Sequence, residues 1–411
     1  MKNYTKIATK ITLILFIAQS LASAGFIAAA TLNAIIGTTL GGSPAWAGVP
    51  SAVYQLGGAL AASAWGVLMD WLGRRKGITL GLLFGAAGAA LVIYAIDHQQ
   101  MVAFLGGMLL MGIANSAVTL GRFAAAEVNP PEKRGAAISN VVLGGTFGSV
   151  FGPLIVAPAG IFVLQFGYAE LSGAYAATLA LFLIAALVVF SLLTPDPKLI
   201  GRQIAELHPE ATPTGPARPV WEILRQPAAL TAVSAMVFGQ VVMVAVMVIT
   251  SLHMKQHDHM LSDISLVVSS HTFGMYAFSV ISGRLADRWG RGRVILVGAG
   301  VLLLSCITAP LSPDVFPLAV SLFLLGLGWN FCFVGGSTLL ADQLSPDERA
   351  RTQGTNDLFV GLASALGSLG SGVVFSAFGY TMVAALGGAL TLIPIFLALR
   401  MQSRPKAAGL A

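Results

Sequence analysis

The chain has 411 residues, of which 56% are hydrophobic and only 10% charged, against about 25% charged in soluble globular chains. So little charge cannot cover a water-soluble surface, and a mean hydropathy of +0.82 agrees that most of this surface meets lipid. The net charge of +6 does not indicate a nucleic-acid binder, because the basic residues sit in short loops between apolar runs and not on one soluble face.

A basic start, Lys2, Lys6 and Lys10, leads into an apolar run over 11–36. That run is longer than the h-region of a signal peptide, about 7–15 residues, so it reads as a first spanning helix. Five more runs follow, at 48–69, 77–96, 101–124, 136–163 and 173–193. A Pro-rich stretch from Pro195 to Pro227 reads as a linker. Within it, 220–225 is either a short amphipathic turn on the membrane surface or plain loop. Six further runs cover 228–251, 265–283, 293–311, 316–340, 353–377 and 380–399. The expected fold is an all-α membrane protein of twelve transmembrane helices, in domains 1–194 and 228–411 joined by the linker 195–227, since long continuous runs must satisfy their own backbone in lipid. Cys306 and Cys332 lie inside apolar runs, which argues against a disulfide framework or a zinc site.

With the N-terminus inside, every Lys and Arg except Lys255 falls at the cytoplasmic side. The expected location is therefore the bacterial plasma (inner) membrane, with both termini cytoplasmic and the bilayer as solvent.

The two halves repeat. Gly66-x3-Asp70-x2-Gly73-Arg74 returns as Gly283-x3-Asp287-x2-Gly290-Arg291 at an offset of 217. Glu127-x6-Arg134 returns as Asp342-x6-Arg349, and Asn115 returns as Asn330, both at 215. Six helices per half with matched loops give a parallel repeat about an axis along the membrane normal.

These loops resemble those of the major facilitator superfamily, whose most general signature follows the second helix. The likeness extends over nearly the whole chain, through helix count, linker and loops, including Pro131–Gly135. Trp71 departs from the family, which usually has Arg there, whereas Arg288 keeps it. The resemblance implies two six-helix bundles that rock about a central site. It also implies a cytoplasmic gate built from Gly66, Asp70, Gly73 and Arg74 with Arg122, and from Gly283, Asp287, Gly290 and Arg291. Glu127–Arg134 and Asp342–Arg349 would be accompanying charge pairs. Gly66 is expected to let its helix pack tightly. Asp70, at a helix C-terminus where a carboxylate opposes the dipole, needs a partner: Arg74, Arg122 or the start of the eleventh helix. The alternative is that these charges only set topology.

Polar residues inside spanning helices are costly and usually face the bundle interior. Gln19, Ser23 and Asn33, with Phe26 and Ala30, share a face of the first helix, and Gly112, Asn115, Thr119 and Arg122 one of the fourth. The seventh supplies Gln240, Met243 and Met247, the eighth His271, Thr272, Met275 and Tyr276, and the tenth Trp329 and Asn330. By resemblance the cavity draws on the first, fourth, seventh and tenth helices; each residue can instead be an interhelical hydrogen bond. Met and Trp with few fixed charges suit a neutral or amphipathic solute. For coupling, the family's frequent first-helix carboxylate is missing, which leaves His271 and Asp357, with protons as the candidate ion.

The expected activity is secondary transport, with proton-coupled export first. Gly148-x3-Gly152-Pro153 partly matches a motif of the family's drug–proton antiporters, though Val156 and Ala157 replace its last glycines. Uptake of a metabolite or vitamin is the alternative, and a non-transporting receptor of the same fold the rival class. His253, His257, Asp258 and His259 could suggest a metal site, but a short solvated loop carrying Lys255 is the expectation. No Gly-x4-Gly-Lys-Ser/Thr occurs. No enzyme activity, cofactor, metal or nucleic acid is expected, and the chain is read as a monomer.

Overall fold

The computed structural model describes residues 2–130, 133–207 and 218–403. It divides into two compact units: 1–211 with 260–269, and 212–259 with 270–411.

In the first unit α1 (Lys2–Gly41) is followed by α2 (Val49–Leu72), α3 (Arg74–Asp97), α4 (Met101–Thr119) and α5 (Gly121–Glu127). Then come α6 (Arg134–Phe151), α7 (Val156–Leu164), α8 (Ser172–Leu192) and α9 (Pro197–Leu207). The rest of the chain forms α10 (Val220–Leu224), α11 (Pro227–Gln256), α12 (Leu261–Tyr276), α13 (Ser279–Trp289), α14 (Arg291–Thr308), α15 (Val315–Ala341) and α16 (Pro346–Gln402).

Ten helical stretches among the described residues are long and apolar enough to cross a membrane, and the bent 44–72 segment makes an eleventh. The last stretch, Arg351–Gln402, would be about 78 Å long if straight, far beyond a hydrocarbon core of about 30 Å. It is not straight: Gly379 takes φ 77° and ψ −176° and breaks α16. Residues on either side of Gly379 make separate crossings, which brings the number to twelve.

Several crossings are interrupted, each for a local reason. α6 ends at Gly152 and Pro153 opens a 3-10 turn before α7, as expected where a residue lacks its N–H. The second crossing bends by 51° between its 44–62 and 64–72 parts. The eighth stops at Tyr276 and restarts at Ser279 as α13. At an offset of 217, these two breaks occupy nearly the same place in each half.

Packing within each unit repeats as well. Gly112 of α4 meets the Tyr54 carbonyl of α2, and Gly326 of α15 meets the His271 carbonyl of α12. An added Cβ would collide with backbone in both cases, so only glycine permits this approach.

The stretch read as a linker contains α9 and α10. α9 carries Ile200 and Ile204 on its buried side and exposes Leu199 and Arg202, the pattern of a helix lying at an interface. α10 forms where an amphipathic turn was one of two readings. Four of the six tryptophans, Trp46, Trp71, Trp221 and Trp289, are exposed at or near ends of spans, the usual place for an aromatic belt.

Candidate functional site

Each unit presents one ion cluster at the loop where its second crossing turns into its third. In the first unit that turn is Gly73, at φ 91°, a conformation L side chains rarely adopt. Arg74 follows at the start of α3. Its Nη1 lies 3.0 Å from Asp70 Oδ1. Its Nε reaches both Glu127 oxygens, at 3.2 and 3.0 Å, and Nη2 reaches Oε1 at 2.5 Å. Asp70 at a helix C-terminus and Arg74 at a helix N-terminus each oppose a helix dipole, and pairing them offsets both penalties.

The second unit repeats this. Gly290 also takes φ 91°. Arg291 lies 3.1 Å from Asp287 and 3.0 Å from Asp342, and its Nη1 donates to the Ala286 carbonyl at 3.0 Å.

Glu127 is matched to Arg74 by a bidentate contact, and Asp342 is matched to Arg291. The Arg349 side chain lies outside the described residues. Of the three partners considered for Asp70, the ion pair found in its own unit is with Arg74; Arg122 lies with its guanidinium 4.9 Å from the Phe123 ring centroid. An added Cβ at Gly66 or Gly283 meets nothing within 4 Å among the described residues.

Asp196, which the motif pattern does not single out, joins the first cluster. Its carboxylate accepts from the backbone N–H of Arg74 and of Arg75, both at 3.1 Å, and from Lys198 N at 2.9 Å. It thus caps the N-terminus of α3, where a negative charge is favoured. A Cβ at Gly73 would lie 2.5 Å from Asp196 Oδ2. Nothing local in the sequence signals this, because Asp196 is more than 120 residues from its partners.

The second unit carries a further clamp outside this cluster. Glu348 is buried and accepts from Arg218 Nε and Nη2, both at 2.8 Å, and from the N–H of Arg218 at 3.0 Å and of Ser345 at 3.0 Å. The Arg218 hydrogen bonds, then the Ser345 amide, hold its carboxyl well below the usual range, against the opposing effect of burial. The same pairing raises the Arg218 pKa. Ser345 and Glu348 also form a capping box, which the Ser-x-x-Glu spacing could have announced.

The polar residues assigned to a cavity separate into packing groups and a smaller exposed set. In the first unit Gln19 donates to Ser23 Oγ at 3.1 Å, beside Gly145 of α6. Asn33 is 3% exposed; its Oδ1 accepts from the Tyr175 hydroxyl at 2.6 Å, so it ties α1 to α8. Thr119 donates to the Asn115 carbonyl at 2.8 Å. The Asn115 side chain is half-buried and makes no hydrogen bond among the described residues.

In the second unit the Trp329 indole N–H donates to Gln240 Oε1 at 2.8 Å, and Gln240 Nε2 donates to Ser364 Oγ at 3.2 Å. Trp329 stacks on Phe333, with centroids 4.9 Å apart, and meets Tyr276 edge-on at 6.2 Å. Met243, three residues after Gln240 on α11, is buried. The structure thus joins Gln240, Tyr276 and Trp329 in one group and adds Ser364 and Phe333.

Asn330 plays another part. It donates to the Met275 carbonyl at 2.6 Å and to Ser279 Oγ at 2.8 Å, and accepts from Ser282 at 2.7 Å. These groups flank the break between α12 and α13, so Asn330 satisfies backbone that the break sets free. In the first unit Ser116 donates to the Gly58 carbonyl at 2.5 Å and Trp65 to the Ile113 carbonyl at 2.8 Å. These residues join α2 to α4, and Asn115 makes no such bond.

His271 is 1% exposed and its Nδ1 donates to the Leu322 carbonyl at 3.0 Å, while Nε2 is buried with no partner among the described residues. Asp357 is exposed on α16. Gly148 and Gly152 of α6 pack against α1 backbone at Ser20 and Ala24, which accounts for both glycines by packing. The three histidines near the end of α11 take separate partners: His253 stacks on Tyr380 at 4.3 Å, His257 Nδ1 bonds the His253 carbonyl, and His259 Nε2 bonds the Pro313 carbonyl.

The apolar crossings with a repeated ion cluster describe a multi-pass membrane protein. Comparison with known proteins specifies it. The family model of the Major Facilitator Superfamily matches residues 15–262 and 245–411, and the chain belongs to that family. It is 33% identical over 381 residues to the uncharacterized MFS-type transporter YdeG of Bacillus subtilis, spanning 92% of this chain and 89% of that one. It is 30% identical over 390 residues to the riboflavin transporter RfnT of Brucella anthropi, spanning 94% and 95%. Among solved structures, a bacterial homolog to the human lysosomal transporter Spinster aligns with a TM-score of 0.76 at 17% identity, over 97% of this chain and 98% of that one. At that identity the likeness concerns the fold.

Proposed function

We propose that this chain is a secondary active carrier that moves a small organic solute, uncharged or amphipathic, across the bacterial plasma membrane by alternating access, with both termini cytoplasmic. The observation that carries the reading is the paired cluster, Asp70–Arg74–Glu127 and Asp287–Arg291–Asp342. A device of this kind, made of ion pairs that can form and break, suits a protein that alternates between two states. The group Gln240, Tyr276, Trp329, Phe333 and Ser364 supports an aromatic solute: it offers rings and amide hydrogen bonds without a fixed charge. The driving force we assign is the proton gradient and the direction is export, supported by the partial antiporter motif at Gly148, Gly152 and Pro153. His271 and Asp357 are the coupling candidates.

Uptake is the second reading. The full-length similarity to a riboflavin transporter favours a planar, vitamin-like solute, which fits the same aromatic group. Proteoliposomes test both. Riboflavin and neutral aromatic drugs are loaded on one side, a pH gradient is imposed in each direction, and flux is followed. Gradient-driven flux that falls in Gln240→Ala and Trp329→Ala supports the carrier, and its sign fixes the direction. A folded, reconstituted protein that moves none of these solutes in either direction refutes the proposal; flux that ignores the pH gradient removes the proton.

A further inference from the structure

A cavity of about 210 Å³ opens in the second unit, where the approach to α11 meets the end of α16. Arg225, Leu230 and Thr231 line one side, and Leu397, Arg400 and Met401 the other. Its floor is fixed. Thr231 Oγ1 donates to the Pro227 carbonyl at 2.7 Å and lies 3.5 Å from the Leu397 carbonyl, so α11 and α16 lie against each other there. With that hydroxyl engaged, two guanidinium groups are the polar side chains that the cavity has left to offer.

No carboxylate lines this cavity. Arg225 and Arg400 are exposed, and neither side chain makes a hydrogen bond or ion pair among the described residues. The neighbouring acids are accounted for. Glu222, nearest to Arg225 in the chain, is exposed and acts on Arg218, and Glu348 is held by Arg218 and Ser345. An added Cβ at Gly292 would touch Met401, so the start of α14 lies alongside; there Arg291 holds Asp287 and Asp342, and the exposed Arg293 follows. The dipole ends of α11 and α16 at this place are opposite in sign and offset each other. The two arginines therefore decide the field in the cavity.

Its position is the membrane surface. Arg225 precedes the crossing Pro227–Gln256, and Arg400 falls in the last turn of α16. Exposed apolar side chains flank it: Leu230, one turn into α11, at 48%, and Leu399, beside Arg400, at 53%. Two guanidinium forks from separate helices suit phosphate oxygens, and apolar flanks that continue into the spans suit acyl chains.

We propose that this cavity binds the phosphodiester of an anionic glycerophospholipid, with Arg225 and Arg400 gripping its oxygens and the acyl chains lying along Leu230 and Leu399. The bound lipid then ties the start of α11 to the end of α16 at the bilayer surface. The shared chemistry, phosphate, could also come from a soluble ester; the apolar flanks select the lipid. The site does not depend on which solute the chain carries.

Native mass spectrometry of the purified full-length chain, supplied with phosphatidylglycerol or phosphatidylcholine, tests the proposal. The wild type is expected to retain phosphatidylglycerol preferentially. Arg225→Gln with Arg400→Gln should lower its occupancy about 25-fold, about fivefold for each basic residue near an anionic surface. A control pair, Lys76→Gln with Arg284→Gln, removes equal charge from exposed positions outside the cavity and should leave occupancy unchanged. Equal losses in both pairs would mean general attraction to basic span ends and overturn the site, as would a wild type without preference for phosphatidylglycerol. Glycerol phosphate at the same concentration should not displace the lipid; displacement upholds the phosphate chemistry and overturns the lipid as its source. Should the double variant unfold, Arg400→Gln alone decides, with about a fivefold loss expected.

Discussion

Glu127, and not Asp70, should carry most of the energy of the first gate cluster. The structure gives the reason. Glu127 is 30% exposed and holds Arg74, itself 18% exposed, through a bidentate contact; charge-assisted bonds of this kind contribute about 1.5–3 kcal/mol. Asp70 is 70% exposed and meets Arg74 through an i,i+4 contact at 3.0 Å. Such surface pairs contribute only about 0.3–0.5 kcal/mol. Two double-mutant cycles measure the difference: Glu127→Gln with Arg74→Gln, and Asp70→Asn with Arg74→Gln. Equilibrium unfolding in mixed micelles is the readout, and the cycle isolates the pairwise coupling. Expected couplings are about 1.5–3 kcal/mol for the first and about 0.5 kcal/mol or less for the second. If the cluster forms in only one transport state, Glu127→Gln should also shift the balance between states by about 10- to 150-fold, with a matching fall in flux. In the second unit Asp342 is 48% exposed and makes one contact, so its coupling to Arg291 should be about 0.5–1 kcal/mol. A coupling for Asp70–Arg74 equal to or above that of Glu127–Arg74 would refute the reasoning and show that Asp70 acts through a partner other than this arginine.

The two repeat asparagines should behave differently. Asn330→Ala removes three hydrogen bonds at a buried break and should destabilise by about 1–3 kcal/mol, whereas Asn115→Ala should leave unfolding nearly unchanged; equal effects would contradict the clamp. Gly73→Ala should cost more than Gly290→Ala in the same assay. Both sites carry the strain of a positive φ, of order 1–2 kcal/mol, but at Gly73 the added carbon also meets Asp196. The Arg218–Glu348 clamp should respond to acid. Its carboxyl is depressed in the folded state, so its stabilisation is complete above the ordinary glutamate pKa of about 4.3 and declines as pH falls below it. Stability of the wild type should fall faster than that of Glu348→Gln through that range, and parallel curves would count against the clamp.

Much of the molecule was legible in its sequence because lipid imposes a simple rule. A chain in hydrocarbon must satisfy its own backbone, so twelve apolar runs had to be helices, and the 217-residue offset exposed two related halves. The same offset placed Asp70 with Arg74 and Asp287 with Arg291, since i,i+4 neighbours on a helix meet whatever the tertiary fold. Partners distant in sequence were decided by packing. Glu127 reaches Arg74 because α5 lies beside the start of α3, Asp196 caps α3 because α8 ends there, and Glu348 meets Arg218 across the approach to α11. Asn115 and Asn330 show the limit most clearly. They occupy equivalent positions of the repeat, yet Asn330 bonds groups that flank a helix break, while in the first unit Ser116 and Trp65 make the bonds between α2 and α4. Residue type and spacing determined which groups could not face lipid. Which partner each one found was settled only when the helices came together, since a side chain's hydrogen bonds depend on neighbours that the linear pattern does not specify. The loops that first drew notice as a repeated motif are each completed by a carboxylate more than 50 residues away.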